Sequence, residues 1–208
     1  MSRQGRFITF EGIDGSGKST QARLLAEHLR EGGQDVVLTR EPGGSPGAED
    51  IRKLVLEGAQ DRWSPETELL LFTAARRDHL ERVIDPALER GAIVICDRYV
   101  DSTRMYQGIA RGHQREQVDA LHDLMVKRNP DLTLLIDMEP KRGLDRALGR
   151  GGDEERFESF GEGLQARIRQ GFLDLAEEFA DRIVVVDGNR QIEDIAGEIR
   201  ALVTKTLA

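Results

Sequence analysis

The chain has 208 residues, 38% hydrophobic and 33% charged, an ordinary globular balance with enough length to bury one substantial core. Its formal net charge of -8 excludes a global attraction to nucleic acid or to an anionic membrane, so a phosphate-bearing ligand must be held by local basic groups. The single cysteine, Cys96, excludes an internal disulfide and no apolar run could span a bilayer, so a reducing, cytoplasmic setting is expected.

In chain order, the first predicted element is a strand at residues 6–11, RFITFE, dense in apolar residues as a strand covered on both faces should be. It leads into Gly12-x-x-x-x-Gly17-Lys18-Ser19 and then into a helical pattern over 20–31. A strand, this spacing and a helix together identify a phosphate-binding loop. The glycines let backbone approach phosphate closely. The N–H groups along Gly12, Ile13, Asp14, Gly15, Ser16, Gly17, Lys18, Ser19 and Thr20 then converge on a nucleoside triphosphate at the positive end of a helix. Lys18 can bridge the β- and γ-phosphates and the Ser19 hydroxyl can ligate Mg²⁺. The Asp14 side chain has no task in holding that triphosphate.

The second predicted strand, 35–40, ends at Arg40 and Glu41, before a turn set by Pro42, Gly43 and Gly44. That stretch is either a generic turn or a place for mononucleotide and metal-water contacts. A helical pattern follows over 65–89, with Ser64 as its cap and Pro65 in its first turn. Phe72 and Arg76 stand four apart and share one face of it. They either stack a base and donate to its carbonyl oxygen, or serve as a core residue and a solvated charge. The third strand, in GAIVICDR, ends at Asp97, where a Mg²⁺-organising carboxylate belongs, and Arg98 follows with a fixed guanidinium fork for phosphate. Thr103, Tyr106 and Gln107 fall at i, i+3 and i+4, again one helical face.

Beyond a helix at 116–128 come a strand at 131–138, a glycine-rich charged stretch at 146–162 that reads as a flap, a strand at 182–188 and a helix at 191–207. The order β-α-β-α-α-β-α-β-α-α-β-α predicts an α/β fold, a five-stranded parallel doubly wound sheet in three layers with a small lid. Ligands on such a sheet bind beyond the carboxyl ends of the strands. The motifs sit there, and the last loop, with Asn189 and Arg190, can reach an adenine. No Asn-Lys-x-Asp element is present, which argues against a guanine-specific switch protein. The four histidines show no metal-ligand spacing and read as surface or packing residues.

FEGIDGSGKSTQ, TREPGG, LLLFTAARRDH and DRYVDSTRMYQG, in that order and spacing, resemble thymidylate kinase over essentially the whole chain. The resemblance implies one P-loop kinase domain over 1–208, with a mobile lid at 142–162. It implies transfer of the γ-phosphoryl group of ATP to dTMP with Mg²⁺, usually in a homodimer. By the same resemblance Phe72 stacks on thymine, Arg76 bonds its O4, Thr103 lies near N3 and Tyr106 lies against the deoxyribose C2′. Gln107 closes that end, Arg98 holds the 5′-phosphate and Asp14 reaches the 3′-hydroxyl, with Arg40 and Glu41 beside the mononucleotide. Ser19 and Asp97 serve the metal. Some members carry an arginine where Gly15 stands. Here the cations that meet transition-state charge are expected from the lid, as Arg146, Arg150 and Arg156. A different P-loop phosphotransferase, such as a deoxynucleoside kinase, or a non-catalytic nucleotide-binding protein are the alternatives.

Overall fold

Strand β1 (Arg6–Glu11) is the central strand of a five-stranded sheet ordered β2-β3-β1-β4-β5. Here β2 is Val36–Arg40, β3 Ile93–Asp97, β4 Leu132–Asp137 and β5 Ile183–Asp187. Each neighbouring pair is parallel. The computed structural model describes residues 5–59, 61–110, 115–148 and 161–207.

The apolar density of the strands is explained by helices on both faces. Ile8, Phe10, Ile93, Ile95, Leu132 and Leu134 point to one side, under α1 (Lys18–Glu31) and α9 (Ile192–Leu207). Ala22, Leu25, Ile195 and Ile199 close that layer. Phe7, Val94 and Cys96 point to the other side. They meet Leu69 of α3 (Pro65–His79), Leu80 and Ile84 of the π-helical turn Leu80–Ile84, and Ala87 of α4 (Asp85–Glu89). Leu135 and Ile183 meet Ile168, Phe172 and Leu175 of α8 (Gly161–Glu178). Helices α2 (Pro46–Leu56) and α7 (Pro140–Leu148) complete the expected alternation. The three-layer parallel fold is therefore the one the sequence predicts.

Between β3 and β4 the chain is more helical than expected. Helix α5 (Val100–Thr103) runs into a π-helical stretch, Arg104–Ala110, and α6 (Arg115–Leu121) runs into a second, His122–Val126. The spacing of Thr103, Tyr106 and Gln107 predicts a helical face in the first pair, but every residue from Tyr99 to Gly108 is buried, so no polar stripe marks its extent.

Charge anchors this buried helix. Arg182 donates to both Asp101 oxygens at 2.7 and 2.9 Å, and Arg104 donates to Asp101 and Asp119 at 2.7 Å each. The ring of Phe179 lies under Arg182 and Arg104, 4.5 and 5.0 Å from its centroid. The helix so fixed carries Thr103, Tyr106 and Gln107 to the carboxyl edge of the sheet. Among the described residues, no helix is long and apolar enough to cross a membrane.

Candidate active site

The loop from β1 to α1 needs backbone that most residues resist. Gly15 and Gly17 have φ of 74° and 100°, and Gly17 caps α1 in the left-handed conformation. Lys18 opens the helix with its ammonium folded onto the loop, donating to the Gly12 and Ile13 carbonyls at 3.0 and 2.7 Å. Burial, and then the Arg98 charge, push its pKa down to about 8. The Ser19 hydroxyl donates to Asp97 Oδ2 at the end of β3. The other oxygen, Asp97 Oδ1, is buried with no hydrogen-bond partner among the described residues. A hydroxyl beside an unpartnered carboxylate oxygen is a hard donor set that fits Mg²⁺.

Arg98 is held at φ 68°, an uncommon backbone for a residue with a side chain. From there its guanidinium pairs with Asp14 and donates to Ser102 Oγ at 3.0 Å and to the Gly12 carbonyl at 3.3 Å. It lies 5.2 Å from the centroid of the Tyr106 ring, whose hydroxyl donates to Asp14 at 3.0 Å. Burial alone would raise the Asp14 pKa, but Arg98 and Lys18 hold it below the usual carboxylate range.

Glu11 ties this corner to the sheet, accepting from the Tyr99 and Ser102 amides at 2.7 and 3.1 Å and from Ser102 Oγ at 2.5 Å. Burial, with Asp101 nearby, pushes its pKa up from 4.5 to about 7. Across that window the folded chain keeps a proton that the unfolded chain has released, so this group's contribution to stability falls as pH rises. Glu11→Gln is expected to remove the slope. The urea midpoint of the variant minus that of the parent should grow between about pH 5 and about pH 8, whereas a constant difference would show that Glu11 ionises freely.

At the far end Arg76 donates from Nε to Glu41 at 2.7 Å and from Nη2 to Thr103 Oγ1 at 2.9 Å. Gln107 donates to the buried Glu68 at 2.9 Å. One cavity of about 300 Å³ joins the two ends. Asp14, Gly15, Gly17, Lys18 and Ser19 line it from the loop, and Arg40, Glu41, Asp97 and Arg98 from the strand ends. Phe72, Arg76, Thr103, Tyr106 and Gln107 line it from the helices.

Gly12, Ile13, Ser16 and Thr20 belong to the same loop and first helical turn without lining the cavity. Asn189 bonds Asp187 at 2.9 Å and its carbonyl accepts from Arg142 of α7 at 2.7 Å, while Arg190 pairs with Glu198 and donates to the Asp187 carbonyl at 3.2 Å. Arg146, in α7, has Nη1 3.6 Å from Met138 Sδ. Arg150 and Arg156 lie outside the described residues, as does most of the lid. The sequence reading missed Arg52, which lines the cavity from α2 and donates to the Pro42 carbonyl at 2.6 Å. No motif marks it. Glu11 and Ser102 were also missed, though an acid closing an apolar strand was a visible signal.

Helix α7 sits hard against the loop. A Cβ on Gly15 would fall 1.9 Å from the Gly143 carbonyl oxygen, and one on Gly143 would fall 2.7 Å from the Asp14 carbonyl oxygen.

A family model described as thymidylate kinase matches residues 10–199. The thymidylate kinase of Ruegeria pomeroyi is 68% identical over 203 residues, covering 98% of this chain and 96% of that one. That of Dinoroseobacter shibae is 63% identical over 204 residues, covering 98% and 99%. The crystal structure of thymidylate kinase from Ehrlichia chaffeensis superposes with a TM-score of 0.78 at 38% identity, covering 97% of this chain and 99% of that one.

Proposed function

The chain belongs to the thymidylate kinase family, and on that premise we infer how its cavity works: it transfers the γ-phosphoryl group of ATP to dTMP, giving dTDP and ADP. The observation that carries the residue assignments is the single cavity shared by the phosphate loop and the Phe72–Arg76–Thr103–Tyr106 cluster. A donor and an acceptor held at its two ends present their phosphates to each other, and positioning is most of what this reaction needs.

The loop amides and Lys18 hold the ATP phosphates, with the Lys18 ammonium moving from the Gly12 and Ile13 carbonyls to the transferring group. Arg98 holds the dTMP phosphate; its ring contact with Tyr106 and its pairing with Asp14 orient it for that task. Phe72 stacks on thymine, Arg76 donates to its O4 and Thr103 reaches N3. Tyr106 stands against C2′ and Asp14 accepts from the 3′-hydroxyl, so a ribose is disfavoured by crowding. Arg40 and Glu41 complete the acceptor end.

Mg²⁺ is assigned to Ser19 and Asp97, supported by the unpartnered Asp97 Oδ1. Bound there, it supplies positive charge against the phosphate oxygens. We assign the charge on the transferring group to the lid over 142–162, through Arg146, Arg150 and Arg156, because the loop itself is neutral at Gly15. Adenine falls to the loop with Asn189 and Arg190. A cytoplasmic homodimer fits the lone buried Cys96 and the exposed Leu70, Leu124 and Met125.

The test is ADP release with dTMP, dUMP, dCMP, dAMP and thymidine, with and without Mg²⁺. Turnover should be highest with dTMP, low with dCMP and dAMP, and absent with thymidine, which gives Arg98 no phosphate. Turnover on thymidine equal to that on dTMP would move the reading to a deoxynucleoside kinase.

A further inference from the structure

We propose that His79 is a positioning residue for recognition of the acceptor base, acting through Glu41 to hold Arg76 in its reading orientation. This rests on the assignment of Arg76 to the thymine O4.

Four hydrogen bonds run in series from half-buried Thr39 through the buried side chains of His79, Glu41, Arg76 and Thr103. Thr39 Oγ1 lies 2.7 Å from His79 Nε2, and His79 Nδ1 lies 3.1 Å from Glu41 Oε1. Glu41 Oε2 accepts from Arg76 Nε at 2.7 Å, and Arg76 Nη2 donates to Thr103 Oγ1 at 2.9 Å. His79 is 0% exposed, and Glu41 and Arg76 are 5% exposed each. A packing histidine on α3 would be surrounded by apolar atoms; this one has a polar partner at each ring nitrogen.

The series fixes a plane. A guanidinium gripped at Nε and Nη2 cannot rotate, and its Nη1 makes no hydrogen bond among the described residues while Arg76 lines the cavity. The grip is only as rigid as the Glu41 carboxylate, whose terminal torsion is soft. His79 takes the second oxygen and removes that freedom. The ring is itself wedged: a Cβ on Gly44 would stand 2.4 Å from His79 Nε2 and from Thr39 Oγ1. Because a carboxylate only accepts, Nδ1 carries a proton toward Glu41, and Nε2 shares the second hydrogen bond with the Thr39 hydroxyl. Burial alone would raise the Glu41 pKa, but Arg76 and His79 hold it low. Glu41, His79 and Cys96 also lie close enough together to suggest a cation site. The carboxylate and ring atoms, however, are already hydrogen-bonded, and the Arg76 cation lies against the carboxylate, so the group is a relay and not a metal centre.

His79→Phe keeps an aromatic ring and removes both polar contacts. It is expected to raise KM for dTMP about tenfold, to leave KM for ATP within about twofold, and to lower the preference for dTMP over dCMP. His79→Asn, whose amide nitrogen falls near the Nδ1 position, should recover most of the loss. In an Arg76→Met background, His79→Phe should change KM for dTMP by less than about twofold, since the orientation it protects is gone. Should His79→Phe fail to fold, Thr39→Val cuts the series at its far end and should raise KM for dTMP about threefold with KM for ATP unmoved. An altered melting temperature with unaltered KM and base preference, or effects of His79 and Arg76 that multiply, would overturn the proposal. If Arg76→Met alone leaves dTMP binding intact, the base-reading assignment fails first and the role of His79 falls with it.

Discussion

Replacing Lys18 with methionine is expected to lower kcat by about 10²–10³ while leaving the fold as stable as before, or more so. The two effects have one cause. The ammonium is buried against the carbonyls of its own loop, and burial has already pushed its pKa down to about 8, so the resting protein carries the charge at a cost. The Gly12 and Ile13 carbonyls offset part of that cost, and the phosphate oxygens of the proposed donor would offset more. Methionine fills much of the same volume without the charge. The loop amides survive the change, so KM for ATP should rise less than kcat falls. ADP release and a urea denaturation midpoint, measured on the same preparation, check both halves. A kcat within about tenfold of the parent would take Lys18 away from the transferring phosphoryl group.

Arg182→Met is expected to destabilise the fold by about 3 kcal/mol at neutral pH, although it lies outside the cavity lining. Asp101 is fully buried and keeps a carboxylate; burial alone would raise its pKa, and Arg182 and Arg104 hold it below the usual range. A group with a depressed folded pKa gives stability that is present above its unfolded pKa and lost as pH falls. Removing Arg182 deletes much of that contribution, so the deficit should be greatest near neutrality and should shrink as pH falls below about 4, toward about pH 2. Denaturation midpoints at the two pH values measure it. A deficit that does not change with pH would mean that lost packing on Phe179, and not the charge pair, holds α5 in place. Since α5 and its π-helical continuation carry Thr103, Tyr106 and Gln107, KM for dTMP should rise before KM for ATP does.

The sheet was readable because strands covered on both faces announce themselves as short runs such as AIVIC and TLLID. The phosphate loop was readable because its glycine spacing is imposed by backbone geometry and owes nothing to distant contacts. Most of the cavity lining follows from three motifs at strand ends and a fourth on helix α3. What stayed hidden has identifiable causes. The helix after β3 is buried all round, so the shared face of Thr103, Tyr106 and Gln107 marks it while no polar stripe shows its extent. The polar contacts of His79 have no sequence signal because its partners, Thr39 and Glu41, are 40 and 38 positions away and meet it only where β2 and α3 come together. Arg52 belongs to no pattern at all. For Arg190, sequence cannot tell a guanidinium aimed at a ligand from one paired with a neighbour such as Glu198.

The meeting of Gly15 with Gly143 sets a rule for how this chain can change over generations. Two main chains touch there without any intervening atom, so neither site can accept a larger residue until α7 shifts outward. A lineage that placed an arginine in the phosphate loop would have to rebuild the base of its lid in the same step. With the charge on the transferring group assigned to the lid, a single substitution at Gly15 cannot move that role into the loop.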